Sequence, residues 1–267
     1  MESSGTTAIL PGQEAKITSY EFTKRSTRYM KVLAALSIGL LGALLGNAQP
    51  LSAAEQTPVT AIDILLEPDA TMLRHAQTNN ARLLKAFPKG FALDEAHRPH
   101  ITLLQRFVRT ADLDKVYAAA EKVLAGANVT GMQLEACKYY YAPAKDAGVA
   151  GIVARPTPEL LTLQQELIAA VAPFTVETGP IGAFTASHDD PTTDALLISY
   201  VSTFVPKQTG EHFNPHVSTG VAPKDYLDKM LAEPFEPFTF SPAGAAVHQL
   251  GPFGTAAKKL KAWDLKP

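Results

Sequence analysis

Apolar residues recur along the chain with two different periods, and this difference separates the predicted strands from the predicted helices. Short segments rich in β-branched and aromatic residues predict strands at 60–67, 99–108, 129–141, 149–154, 213–221 and 235–240, and a closing hairpin of 245–250 with 255–263. Segments with apolar residues every three or four positions predict helices at 68–87, 111–124, 158–171 and 224–231. The stretch 195–205 fits either a helix or a strand.

The N-terminal part of the chain has a different pattern. Residues 32–45 form an unbroken run of 14 apolar or small residues, and a basic segment with Lys24, Arg25, Arg28 and Lys31 precedes them. A membrane-spanning helix needs about 20 apolar residues, so the run is short for a span and fits the apolar region of an export signal. The pattern predicts a periplasmic or secreted protein, with an uncleaved membrane anchor as the alternative.

Small residues follow the apolar run and offer two cleavage sites. We expect cleavage after Ala54, with cleavage after Ala48 as the second choice. The chain is therefore divided into a basic leader and signal peptide at 1–54 and a mature domain at 55–267. Translation can start at Met1 or at Met30, and the sequence does not decide between them.

Composition narrows the classes of partner. The single cysteine, Cys137, excludes an intrachain disulfide and a cysteine-based zinc site. The leader contains five of the 24 Lys and Arg residues and three of the 26 Asp and Glu residues, so the mature domain has a net charge of −4 with His neutral. Binding of long nucleic acid by bulk electrostatics needs a basic face, so it is not expected here. Binding of a small phosphorylated ligand is compatible with this net charge.

A short motif occurs twice. Pro99-His100-Ile101-Thr102 is matched 116 residues later by Pro215-His216-Val217-Ser218. An Asp-bearing helix and then a pair of strands are predicted after each copy. The second half thus repeats the first, which predicts an α+β fold of two similar lobes with antiparallel sheets and helices around a cleft. A doubly wound parallel sheet is the alternative.

Strand geometry gives the repeated motif a chemical meaning. Side chains alternate between the faces of a strand, so His100 and Thr102 share one face, and His216 and Ser218 share one face of their own strand. If the lobes face each other, two imidazoles and two hydroxyls line one cleft. A neutral imidazole can accept a proton, a protonated one can donate a proton, and hydroxyls can bind non-bridging oxygens. This set of groups suits a phosphodiester.

The segments RPHITLLQRF and FNPHVSTGVA resemble the paired His-x-Thr/Ser motifs of the two-histidine (2H) phosphoesterase superfamily, which includes RNA 2′,3′-cyclic phosphodiesterases and 2′-5′ RNA ligases. The final VHQLGPFGTAAKKLKAWDL resembles that family's closing strands. The resemblance spans residues 60–265 and implies a bilobal fold and phosphodiester chemistry without a metal or other cofactor. It implies catalytic roles for His100 and His216 and phosphate binding by Thr102 and Ser218, where Ser218 replaces the commoner threonine and keeps the hydroxyl.

These observations lead to one expected function and one alternative. The expected function is an exported, metal-independent phosphodiesterase that acts on a small 2′,3′-cyclic phosphate or a 2′-5′-linked, RNA-derived end. Such a protein is expected to be a monomer with no stable membrane partner after cleavage. The alternative is a non-catalytic exported protein that binds a phosphorylated ligand in the same cleft. Familiar relatives act on RNA inside cells, so the export signal departs from the family's usual setting.

Three further groups of residues are weaker candidates. His97, His100, His212 and His216 form a metal cluster only if they meet, and strand alternation is expected to place His97 and His100 on opposite faces. The aromatic run Tyr139–Tyr141 offers either a base-stacking ring at the cleft mouth or core packing. His188, Asp189 and Asp190 belong to a lid or to a solvated loop.

Overall fold

Antiparallel strands and helices make up the computed structural model, which describes residues 57–144, 146–187 and 191–265. The strands are β1 (Val59–Pro68), β2 (Ile101–Arg109), β3 (Leu134–Pro143), β4 (Ala147–Ala154), β5 (Thr175–Val176), β6 (His216–Pro223), β7 (Phe238–Phe240), β8 (Pro242–Leu250) and β9 (Ala256–Trp263). The helices are α1 (Ala70–Ala86), α2 (Leu113–Gly126), α3 (Pro158–Val171), α4 (Pro191–Ser202), α5 (Phe204–Gln208) and α6 (Lys224–Leu231).

The strands form one sheet in the order β7-β3-β4-β6-β2-β1-β8-β9, and β5 pairs with β2. At the centre, β2 and β6 meet through the pair Ile101 and Val217, whereas β1–β2 and β4–β6 pair along their length. The sheet therefore consists of two four-stranded lobes that touch at the two motif strands. We call β9-β8-β1-β2 lobe A and β7-β3-β4-β6 lobe B. The α+β prediction with two lobes is confirmed, and all pairings are antiparallel.

The two lobes do not coincide with the two halves of the sequence. After β2 of lobe A, the chain crosses to build β3 and β4 in lobe B, and after β6 and β7 it returns to build β8 and β9 in lobe A. The repeated motif therefore marks the symmetry of the lobes, although each lobe takes strands from both halves of the chain.

Helices flank each lobe at the places that the apolar pattern predicts. Helix α3 has the predicted bounds because Thr157 caps it, accepting a hydrogen bond from the Leu160 amide, and Pro158 occupies its first turn. Its buried residues recur at helical spacing, and α3 contacts β2 and α2. Helices α1 and α6 contact β6, so they belong to lobe B.

The stretch that fits both a helix and a strand forms helices. Leu197, Val201 and Phe204 are buried at spacings of four and three residues, which places them on one side of α4 and the start of α5. The predicted run 32–45 and the cleavage sites lie outside the described residues. Within the described ranges, no helix is both long enough and apolar enough to span a bilayer.

Strand β2 has a β-bulge three residues after its motif histidine. The pairing with β1 passes from Thr102 to Leu104, so Leu103 is the extra residue. The Leu103 carbonyl accepts a hydrogen bond of 3.0 Å from the buried Gln164 amide of α3. As a result, Leu103 and Leu104 are both buried, and Thr102 and Gln105 point to the same face.

Strand β6 repeats this bulge in lobe B. The pairing with β4 passes from Ser218 to Gly220, so Thr219 is the extra residue. The Thr219 carbonyl accepts a hydrogen bond of 2.9 Å from the Asn80 amide of α1. Gly220 has φ 147°, a conformation that side-chain-bearing residues rarely adopt. Each lobe thus fixes its motif strand with a bulge and a side-chain amide from a helix.

Candidate active site

A cavity of about 610 Å³ opens where the two motif strands meet. His100, Thr102, His216 and Ser218 all line this cavity, so the structure brings the four predicted site residues together. Their neighbours Ile101 and Val217 are buried on the opposite face, in agreement with strand alternation.

The two imidazoles are held in the same way. His100 Nδ1 lies 2.6 Å from the Arg98 carbonyl, and His216 Nδ1 lies 2.7 Å from the Asn214 carbonyl, which is also two residues upstream. A carbonyl oxygen can only accept a hydrogen bond, so Nδ1 carries a proton in each ring. Nε2 is therefore the nitrogen of each ring that can exchange a proton with a ligand.

A buried carboxylate lies beside His100. Asp63 of β1 is 0% exposed, and its Oδ2 accepts hydrogen bonds from Thr102 Oγ1 at 2.8 Å and from Gln105 Nε2 at 3.0 Å. His100 Nε2 lies 3.6 Å from the same oxygen. A carboxylate at this distance favours the protonated imidazole over the neutral one.

The surroundings shift the pKa values of the two histidines in opposite directions. Burial alone would lower the pKa of His100, but the nearby Asp63 carboxylate, together with the Arg98 carbonyl, outweighs burial, and the pKa of His100 is raised. The pKa of His216 is lowered, mainly because its charged form is desolvated and also because His100 repels it, and the Asn214 carbonyl offsets this only in part. Near neutral pH, these shifts favour a pair in which His100 is protonated and His216 is neutral.

One tyrosine of the aromatic run faces the cavity. Tyr140 lies on the cavity wall, and its ring centroid is 5.1 Å from that of His216. Tyr139 packs edge-on against Phe235, and the Tyr141 hydroxyl donates to Asp228. Tyr140 is therefore the member of the run that is placed to stack against a ligand.

Helix α4 supplies an apolar wall. Leu196 and Tyr200 line the cavity from this helix, with 68% and 41% of their surfaces exposed. Desolvation, with a further contribution from the Asp63 charge, raises the pKa of Tyr200 to about 12, so its hydroxyl stays protonated and can donate a hydrogen bond.

His97 also lines the cavity, and this corrects the sequence argument. Residues 97–100 precede β2 and do not form a strand, so strand alternation does not separate His97 from His100. The His97 ring stacks on Phe91 at 4.5 Å, and its Nδ1 is 2.9 Å from Asp94 Oδ1. In the part of the chain that the structure describes, no group of three or more His, Cys, Asp and Glu residues is arranged to hold a metal ion. His188, Asp189 and Asp190, the candidates for a lid or a solvated loop, lie outside the described residues.

Sequence reasoning missed Asp63 and the residues that pair with it across the sheet. Asp63 pairs with Gln105 on β2 and with His248 on β8, and all three are at least 96% buried. The available signal was an aspartate in the middle of the mostly apolar strand TAIDILLE, because an aspartate is rarely buried unless it is paired. Its partners become visible only when the strand register is known.

No family model matches the chain, and no curated protein matches it. Solved structures similar to it include TT0787 of Thermus thermophilus, with 17% identity, a TM-score of 0.46, and coverage of 77% of this chain and 98% of that one. E. coli LigT complexed with ATP has 13% identity and a TM-score of 0.40, and the match covers 79% of this chain and 100% of that one. Kluyveromyces marxianus Usb1 with uridine monophosphate has 9% identity and a TM-score of 0.40, and the match covers 78% of this chain and 99% of that one. Identities and TM-scores are low. These neighbours are members of the two-histidine phosphoesterase superfamily, which the paired motifs of this chain resemble.

Proposed function

We propose that this protein is an exported phosphodiesterase that hydrolyses a small phosphodiester by acid–base catalysis between His100 and His216, without a metal ion. The observation that carries the proposal is the pair of imidazoles on one cavity, which are both held through Nδ1 and have pKa values shifted in opposite directions. Groups whose environments push their pKa values apart are suited to act as acid and base near neutral pH.

The proposed reaction needs one proton on the histidine pair. The neutral imidazole accepts a proton from water while the water oxygen attacks phosphorus. The bond between phosphorus and the leaving oxygen breaks, and the protonated imidazole donates its proton to that oxygen. The pair then holds the same number of protons as before, because the proton taken from water replaces the one that was given up.

The shape and charge of the cavity support a small substrate. A volume of about 610 Å³ is in the range of small-molecule sites, and Tyr140 offers an aromatic face on which a nucleobase can stack. Among the described lining residues, Arg98 is the one with a permanent positive charge. This charge balance favours a singly charged cyclic phosphate over a longer oligonucleotide, whose several phosphates would need more cations.

The test is a turnover assay of the purified protein with 2′,3′-cyclic nucleotides and with 2′-5′-linked oligonucleotides, with and without EDTA. We expect hydrolysis of the cyclic nucleotides at a rate that EDTA does not change. Loss of activity in EDTA with recovery on zinc or manganese addition would favour a metal hydrolase. Absence of turnover together with measurable binding of a nucleoside monophosphate by calorimetry would favour the non-catalytic binding protein.

Export is the second part of the proposal, and it rests on the basic segment, the apolar run and the small residues that occur in the order of a signal peptide. Expressed in a bacterium, the protein should be found outside the cytoplasm, and N-terminal sequencing should give a start near Glu55. Size-exclusion chromatography should give a monomer. Recovery in the membrane fraction with residues 32–45 retained would favour the anchored alternative, and a full-length cytoplasmic protein would contradict export.

A further inference from the structure

The two lobes repeat the catalytic motif in the same register, so corresponding residues can be identified. In lobe A, Leu65 pairs with Thr102 and Asp63 pairs with Gln105, on either side of the bulge. In lobe B, Gly151 pairs with Ser218 and Val149 pairs with Val221, again on either side of the bulge. The counterparts of Asp63 and Gln105 are therefore Val149 and Val221. The internal symmetry of the site is broken by a buried carboxylate in one lobe and an apolar residue in the other.

We infer, on the basis of the proposed function, that Asp63 is a positioning residue that makes the two halves of the site unequal. It commits His100 to the role of proton donor and holds the Thr102 hydroxyl, which leaves Ser218 as the hydroxyl that binds the phosphate. The inference departs from the motif resemblance, which implies that Thr102 and Ser218 have equivalent roles.

The hydroxyl of Thr102 is already engaged by Asp63. A threonine hydroxyl has one proton to donate, and here that proton goes to Asp63 Oδ2 at 2.8 Å. Phosphate oxygens are acceptors, so a hydroxyl that donates to Asp63 has no proton left for them. Ser218 lines the same cavity, and the side chain of Val149, the counterpart of Asp63, has no acceptor atom. Ser218 thus keeps its proton for a phosphate oxygen.

Asp63 also favours a positive charge on His100. The carboxylate is 0% exposed, two neutral groups donate to its Oδ2, and its Oδ1 has no hydrogen-bond partner among the described residues. A buried carboxylate is costly unless a cation lies beside it. Protonated His100 supplies that positive charge, with Nε2 at 3.6 Å. The carboxylate therefore stabilises the form of His100 that can donate a proton.

The other charged groups around His100 do not reverse this effect. Glu67 on β1 acts in the same direction as Asp63, with the smallest contribution, and it forms an ion pair with Lys259 at 2.7 Å. His216 on β6 and His248 on β8 both have lowered pKa values, mainly because of burial, and repulsion by His100 contributes to each. Both therefore tend to be neutral while His100 is charged.

The first test is an NMR titration of the imidazoles in the full-length protein and its Asp63→Asn variant, with Glu67→Gln as the matched control. We expect Asp63→Asn to lower the pKa of His100, because the opposing charge is lost, and Glu67→Gln to have a smaller effect in the same direction. In the pH–rate profile, the limb lost at high pH should move to lower pH in Asp63→Asn. An unchanged His100 titration in a folded Asp63→Asn protein would overturn the inference.

The second test compares the two corresponding hydroxyls and does not require Asp63→Asn to fold. Ser218→Ala should weaken binding of the cyclic phosphate by about tenfold or more, because it removes a hydrogen bond to a charged group. Thr102→Val should change KM much less, and it should raise the pKa of His100, because Asp63 loses a donor. If KM increased equally in the two variants and the His100 titration were unchanged in Thr102→Val, the proposed difference between the roles of Thr102 and Ser218 would be refuted. The titrations need no substrate, so failure of the enzymatic proposal can be told apart from failure of this one.

Discussion

Replacing either His100 or His216 with alanine is expected to lower the turnover of a cyclic phosphate by about 10²- to 10⁴-fold, the usual contribution of a positioned acid or base. Each substitution removes one of the two imidazoles proposed to transfer the proton and leaves the other. The measurement is kcat for each single variant and for the double variant. The double variant should lose much less than the product of the two single effects, because two groups that act in one proton-transfer step are not independent.

The pH dependence gives the same prediction a second readout. The rate of the parent protein should fall at low pH, where the base becomes protonated, and at high pH, where the acid loses its proton. Because the two histidines interact, the two limbs belong to the coupled pair. The raised pKa of His100 and the lowered pKa of His216 predict a plateau between the limbs. Circular dichroism serves as the folding control, and a folded His216→Ala protein with parental turnover would rule out the two-histidine mechanism.

The second large effect is expected on stability, from Gln164→Leu. The Gln164 side chain is 0% exposed, donates to the carbonyl of the bulged residue Leu103, and accepts from the Gly210 amide at 3.2 Å. Leucine has a similar volume but no polar atoms, so both backbone groups lose their partner. The unsatisfied buried Leu103 carbonyl costs about 1 to 3 kcal/mol, and the part-buried Gly210 amide adds about 1 kcal/mol, so the free energy of unfolding should fall by about 2 to 4 kcal/mol.

The matched control for this prediction is Gln133→Leu. Gln133 donates to Ser241 Oγ at 2.8 Å, but this hydrogen bond is exposed to solvent. Water can replace the lost partner there, so the free energy of unfolding should change by less than about 0.5 kcal/mol. Urea denaturation of both variants measures the difference. Equal stabilities would mean that the amide does not hold the bulge in place.

The sequence was sufficient to locate the four motif residues and most of the elements around them. Strand alternation alone placed His100 with Thr102 and His216 with Ser218, and the structure agrees. The bounds of α3, which Thr157 caps, and of α6, which has no side-chain cap, both agree with the apolar spacing. Strand alternation and helix bounds depend on residues that are close in sequence, so they can be predicted from the sequence.

The difference between the two lobes, a buried aspartate in lobe A and a valine at the corresponding position in lobe B, could not be predicted in the same way. Asp63 is 37 residues from His100 in sequence, and its meeting with Thr102 and Gln105 depends on the pairing of β1 with β2 and on the bulge at Leu103. A bulge changes which residues share a face of the strand, and the local sequence pattern does not predict where a bulge occurs. The separation of His97 from His100 failed for a different reason, because it applied strand alternation to residues that precede the start of β2 at Ile101.

The interleaving of the lobes has a consequence for folding. Strand β1 of lobe A pairs with β8, which lies about 180 residues later, and β4 of lobe B pairs with β6, more than 60 residues later. Contacts of such high sequence separation form slowly, because a long loop must be closed before any pairing energy is gained. Lobe B lacks its last strand until β7 has been synthesised, and lobe A lacks its last until β9. During refolding, the amides of both lobes should therefore become protected against hydrogen exchange late and at the same time, because the two lobes form one cooperative unit.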